Sequence, residues 1–270
     1  MKNHRKSIEP LSTTEQMPLL FLGHGNPMNA IEENEFVQGF RECVKTIPQP
    51  NAIVCISAHW ETNGTCVTAM EKPQTIHDFS GFPQSLFNVQ YPAPGSPQLA
   101  NEIRNRLTKT SVGLHDFWGL DHGTWSVLKH LYPNADVPVV QLSLDNKISL
   151  QKHYEIAKEL AFLRKKGVLI VGSGNMVHNL KLVDWNKPKE AYEWALQAND
   201  SFKRLIANKN HTQLIDYKNL GKDVLLAVPT PEHYLPMLYI VALQQDDEQI
   251  TFFNDKIIMG SLSMTSFRIG

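Results

Sequence analysis

Met17-Pro18-Leu19-Leu20-Phe21-Leu22-Gly23-His24-Gly25-Asn26-Pro27 sets an apolar run directly against a histidine held between two glycines. The arrangement returns at Asn51-Ala52-Ile53-Val54-Cys55-Ile56-Ser57-Ala58-His59-Trp60. Each run is short, apolar and bounded by turn residues, the pattern of a strand buried on both faces. Between them Phe36, Val37, Phe40, Val44 and Ile47 recur at helical spacing, and Pro48 and Pro50 end that helix. Strand, helix and strand at this length form a βαβ unit with parallel strands.

Working outward, Gly64–Met70, Val137–Leu144, Gly167–Val171, Ile250–Phe253 and Ser261–Ile269 read as further strands. Pro97–Leu107, Ser149–Lys166 and Glu190–Ala207 read as helices. The stretch 71–96 is irregular, and loops of that length are commonly functional walls or lids. Trp118–Trp125 is a second loop, running into a short helix that ends near Tyr132. Val224–Val228 reads as a weak strand or loop. Thr230-Pro231-Glu232-His233-Tyr234 leads into an apolar helix with Pro236 in its first turn, which places His233 on the entry loop. The expectation is one α/β domain with a central mixed, mostly parallel sheet and helices on both faces. Residues 1–16 are polar and read as a flexible N-terminal tail, and 17–270 as the folded domain.

With 270 residues and a formal net charge of −1, the chain has no basic surplus to draw it to nucleic acid or an anionic membrane. No apolar run approaches a membrane span, and the N-terminus lacks the apolar core of a secretory signal. Cys43, Cys55 and Cys66 show no CxxC spacing and read as reduced thiols of a cytoplasmic protein. The oligomeric state stays open.

Ligands of open α/β sheets gather at the carboxyl ends of the strands. His24, His59 and His178 each follow a strand by a few residues, and the loop bearing His233 can reach the same edge. Imidazoles suit zinc, iron, copper or nickel, and no thiolate stands in these loops. Asp121, or another carboxylate, can orient the neighbouring His122, and His77-Asp78 is a similar pair. His4, His115, His130, His153 and His211 read as surface or tail residues. Gly172-Ser173-Gly174-Asn175 fails the GxSxG pattern, since Val171 stands where it needs glycine. It reads as a glycine turn that aims backbone N–H groups into the site.

The stretches FLGHGNPMNA, ISAHW, TIHDFSGFPQSLFNVQYPAPGSP, WGLDHGTWSVL, GSGNMVHNL, PTPEHYLPMLY and MGSLSM resemble the bacterial 4,5-DOPA extradiol dioxygenase family. That family lies within the class III ring-cleaving dioxygenases and is similar to the protocatechuate 4,5-dioxygenase β subunit. The resemblance covers residues 17–270. It implies metal ligation by His24, His59 and His233, with Glu232 as the neighbouring alternative for the third ligand. It implies His178 beside the metal, as fourth ligand or acid–base group, and His122 as the second active-site histidine. It further implies Fe(II) for turnover, Zn(II) as an ion the same imidazoles would hold, and a catechol and O2 as substrates. The product would be a ring-opened semialdehyde. No residue is singled out for reading the substituent of the catechol; Trp60, Phe79, Phe82 and Tyr234 are aromatic candidates for walling the ring. A zinc hydrolase with Glu232 as base and a non-catalytic metal-binding protein are the competing readings.

Overall fold

The computed structural model describes residues 15–270; His4 and most of the expected tail lie outside them. The strands are β1 (Leu19–Gly23), β2 (Ala52–Thr62), β3 (Thr65–Thr68), β4 (Val112–His115), β5 (Val139–Asp145), β6 (Val168–Gly174), β7 (Ile250–Phe253), β8 (Ile257–Ile258), β9 (Leu262–Ser263) and β10 (Ser266–Ile269). The helices are α1 (Glu35–Cys43), α2 (Gln84–Phe87), α3 (Pro97–Arg106), α4 (His122–Leu131), α5 (Leu150–Lys158), α6 (Glu193–Ala207), α7 (His211–Ile215), α8 (Lys222–Ala227) and α9 (Leu235–Val241).

Eight strands form one sheet in the order β4-β3-β5-β2-β6-β1-β10-β7, and β8 and β9 make a small separate hairpin. The four central strands β5, β2, β6 and β1 are mutually parallel, while β3 and β10 flank them antiparallel. Side chains alternate across the sheet with the period of two that a strand imposes. Leu19 and Phe21 enter one core, shared with α3, α5, α6 and α9. Leu20 and Leu22 enter the other, shared with α1 and α4. Both faces are thus covered, which is why the central strands read as unbroken apolar runs. Each fully buried leucine of β1 contributes about 1.5–3 kcal/mol through removal from water.

Three features of this frame position the site. Strands β1 and β6 end level with each other, Gly23 facing Gly174, and the His24 amide continues the ladder to the Gly174 carbonyl at 3.2 Å. On β2 the register against β5 breaks between Ile56 and Glu61, so Ser57–Trp60 bulge out of the ladder and His59 is re-aimed. Helix α4 starts at His122, with the Asp121 side chain as its N-cap, accepting from the Thr124 amide.

Several expectations are corrected. Residues 222–227 are helical, because Val224 and Ala227, three positions apart, share the buried side while Leu225 and Leu226 face out. His122 opens a helix and does not sit in a loop. The glycine turn expected at 172–174 is the end of β6. His130 and His153 are buried, since each ring finds polar partners inside: His130 Nε2 lies 2.7 Å from the Asn29 carbonyl, and His153 lies between the Asp145 carbonyl and the Tyr239 hydroxyl. The edge strand β4 was not expected; its alternation of Val112 and Leu114 spans only four residues, too short a run to announce a strand.

Candidate metal centre

At the carboxyl edge of the central strands His24, His59 and His233 form a near-equilateral triangle, with ring centroids 5.0, 5.0 and 5.4 Å apart. One nitrogen from each lies within 4.8 Å of the others. His24 leaves β1 through Gly25, whose φ of +60° turns the chain sharply, and Gly23 carries no side chain where the Met264 backbone crosses it. His233 comes from the connection between α8 and α9, tied to the sheet by the Asn175 amide, which donates to the His233 carbonyl at 2.8 Å. Pro236 lies in the first turn of α9.

The outer nitrogen of each ring faces an oxygen. The Ser173 hydroxyl gives its single proton to the Gly123 carbonyl at 2.5 Å, so toward His24 Nδ1, 3.0 Å away, it acts only as acceptor. His24 therefore carries its proton on Nδ1 and leaves Nε2 bare. His233 Nδ1 faces the Glu232 carboxylate at 3.1 Å, and His59 Nδ1 faces Asp78 Oδ2 at 3.5 Å. The Glu232 carboxylate holds a proton at His233 Nδ1 and leaves Nε2 bare, while Asp78 Oδ2, already bonded to His122, draws the His59 proton toward Nδ1 by charge alone. The Nε2 atoms of His24 and His59 stand 3.2 Å apart. Two bare lone pairs at that distance repel, and a cation between them turns the repulsion into attraction. Two nitrogens bound at about 2.1 Å to one octahedral or tetrahedral ion lie roughly 3.0–3.4 Å apart. The donor set fits a metal ion.

Electrostatics keep these rings neutral, as metal ligation requires. Burial, then the neighbouring imidazoles, holds His24 and His233 well below the ordinary histidine range. His59 is lowered by burial and by His122, with Asp78 opposing. His178 lies flat on His233, centroids 3.5 Å apart, and burial lowers it to about 4. His122 lies against His59 at 3.8 Å. Burial pushes Asp78 up, but hydrogen bonds from His122 outweigh it and hold the carboxyl below its ordinary value.

All five histidines singled out in the sequence, His24, His59, His122, His178 and His233, come together around one cavity of about 260 Å³. Of the two possibilities left open for orienting His122, the structure takes the other carboxylate: Asp78, not Asp121, bonds its ring at 2.9 Å. Asp121 is used up elsewhere, accepting from Ser57 Oγ, Gln141 Nε2 and the Thr124 amide. His77 turns away to the Val89 carbonyl, so the adjacent pair splits between two tasks. Ser173 contributes its hydroxyl, where backbone amides were expected. Of the aromatic candidates Phe79 and Phe82 line the cavity. Trp60 instead stacks on Trp118, and Tyr234 is buried with its hydroxyl on the Leu214 carbonyl. Pro27, Leu180, Trp185 and Leu262 join the lining without having been expected; exposed loop residues carry no periodic signal.

Among the described residues no helix is long and apolar enough to cross a membrane. Residues 18–258 match the family model described as the catalytic LigB subunit of aromatic ring-opening dioxygenase. A 4,5-DOPA dioxygenase extradiol of Escherichia coli (strain K12) is 46% identical over 264 residues, spanning 96% of this chain and 97% of that protein. The protein of the same name from Beta vulgaris is 34% identical, spanning 92% and 94%. The crystal structure of an uncharacterized protein from Escherichia coli K12 superposes with a TM-score of 0.83 at 42% identity, covering 94% of this chain and all of that one. With the family model spanning nearly all of the folded domain, the chain belongs to the LigB family of aromatic ring-opening dioxygenases and is an extradiol ring-cleaving enzyme.

Proposed function

We propose that the protein opens the ring of a catechol with O2, and that a metal ion held by His24, His59 and His233 is required. The observation that carries this is the convergence of three imidazoles whose outer nitrogens all face oxygen acceptors, hydrogen-bonded at His24 and His233. Glu232 supports His233 as the third ligand, because its carboxylate lies on the outer nitrogen of that ring. The same placement disfavours a hydrolytic role, since Glu232 is not among the residues that line the cavity. Imidazole nitrogens accept several divalent ions; the resemblance to extradiol dioxygenases implies Fe(II) for turnover, and Zn(II) fits the same nitrogens. When bound, it supplies a Lewis acid and a meeting point for catechol and O2.

The remaining steps belong to side chains. His178, half-buried and neutral, takes a proton from a catechol hydroxyl and returns it as the ring opens. His122 presents Nε2 to the cavity because Asp78 holds its Nδ1. Nε2 takes the proton of the second catechol hydroxyl, Asp78 balances the charge the ring then carries, and the ring donates that proton to negative charge developing on the substrate. Phe79, 5.5 Å from the His122 ring, stands with Phe82 as an apolar wall that excludes water.

Protein loaded anaerobically with Fe(II), mixed with a catechol and then exposed to O2, tests this. One O2 consumed per catechol, with a new yellow chromophore, is expected. Ester or peptide turnover with zinc and no O2 uptake would overturn it.

A further inference from the structure

The cavity grades from polar and buried to apolar and exposed. His24, His122 and His233 at its floor are 2%, 6% and 8% exposed, whereas Leu180 and Trp185 at its rim are 63% and 66% exposed. Among the described lining residues none is Lys, Arg, Asp or Glu. The single amide, Asn26, has its side-chain oxygen committed to the Met28 amide at 2.9 Å. The carboxylates nearest the floor, Asp78 and Glu232, are engaged by the rings of His122 and His233.

Large apolar side chains this exposed at the mouth of a pocket mark a surface that something covers. The segment bearing them is anchored at both ends. The His178 amide donates to the Ala227 carbonyl at 2.9 Å, Asn179 Nδ2 to the Leu226 carbonyl at 2.8 Å, and the Asp184 amide to the Met259 carbonyl at 3.0 Å. With its hydroxyls at the floor, a catechol directs its far ring positions toward this rim. An amino-acid substituent would bring an ammonium and a carboxylate to a wall that holds no side chain of opposite charge to either, so neither gains an ion-pair partner there. An alkyl or alkenyl substituent would bury apolar area against Leu180 and Trp185.

We infer, on the ring-opening reading of the site, that the preferred substrate is a catechol with an uncharged apolar substituent gripped by Leu180 and Trp185. A zwitterionic side chain is the disfavoured alternative, although the relatives are named for DOPA.

The test pairs anaerobic binding to the Zn(II)-loaded protein with O2 uptake by the Fe(II)-loaded protein. Catechol, 4-methylcatechol, 4-propylcatechol and DOPA are compared in the wild type and in Trp185→Ala. Expected in the wild type is a Kd that tightens roughly threefold per methylene, with 4-propylcatechol ahead of DOPA by about tenfold or more in both Kd and kcat/KM. In Trp185→Ala the gain per methylene should flatten. DOPA binding as tightly as 4-propylcatechol, or a gain per methylene unchanged in Trp185→Ala, overturns the inference and leaves the ring-opening reading standing. No O2 uptake with any catechol overturns that reading and the inference with it.

Discussion

Asp78 holds His122 at two points: Oδ1 accepts its backbone N–H at 2.8 Å and Oδ2 its ring Nδ1–H at 2.9 Å. One carboxylate therefore sets both the start of α4 and the tautomer of its first side chain. Asp78→Asn keeps the shape but offers an NH2 group where the ring needs an acceptor. We expect kcat to fall about 10–100-fold, with bound metal falling less. Parallel measurement of kcat and metal content checks this; equal losses would assign Asp78 to metal retention through His59.

His24→Ala and His59→Ala should lose metal outright, because each removes one corner of the triangle. His178→Ala and His122→Ala should lose turnover far more than metal. Elemental analysis of the four variants after Fe(II) loading decides. Full metal content in both of the first pair would rule out the proposed centre.

Ser173→Ala removes the only acceptor at His24 Nδ1, so the ring is free to carry its proton on the nitrogen that faces the metal. Metal affinity should drop about tenfold, measured by competition with a chelator, while the folded state persists.

Gly23→Ala would place a methyl carbon 2.7 Å from the Met264 backbone carbonyl, which cannot yield as a side-chain tip can. A loss of about 1–3 kcal/mol is expected. Metal affinity should weaken in parallel, because His24 is the next residue. Urea unfolding and metal titration of the same variant check the pair of effects.

Buried His153, between the Asp145 carbonyl and the Tyr239 hydroxyl, is lowered to about 4 by burial. A histidine depressed in the folded state binds its proton first in the unfolded chain, so stability is full above about 6.5 and falls as pH drops toward 4. Its share of that fall is roughly 3 kcal/mol. Urea unfolding at pH 7 and pH 5 should show a smaller difference in His153→Gln than in the wild type. An unchanged difference would remove His153 from the acid response.

His24 and His178 were legible because they lie one to a few residues beyond Leu19–Gly23 and Val168–Gly174, whose apolar composition announces buried parallel strands; His59, expected to follow its strand, lies inside β2, which runs on to Thr62 past the break in its register. Strand ends in such sheets share one edge, so position along the chain already implied meeting in space. His122 was legible only as a neighbour of Asp121, and that adjacency misled. Asp121 caps the helix that His122 begins, so its carboxylate turns back to Thr124, away from the ring. The true partner, Asp78, lies 44 positions upstream on an irregular loop.

What the sequence determined by itself is the α/β frame and the edge where His24, His59 and His178 gather within reach of His233. Periods of two and of 3.6 and short buried runs are local properties, set by which face of each element meets the core. Only the tertiary structure decided how the imidazoles are used. Ser173 reaches His24 across 149 positions, and Leu180 and Trp185 meet Phe79 and Phe82 at one cavity. Tautomer, ligand choice and pocket lining depend on which side chain arrives from a distant loop, and no local period encodes that.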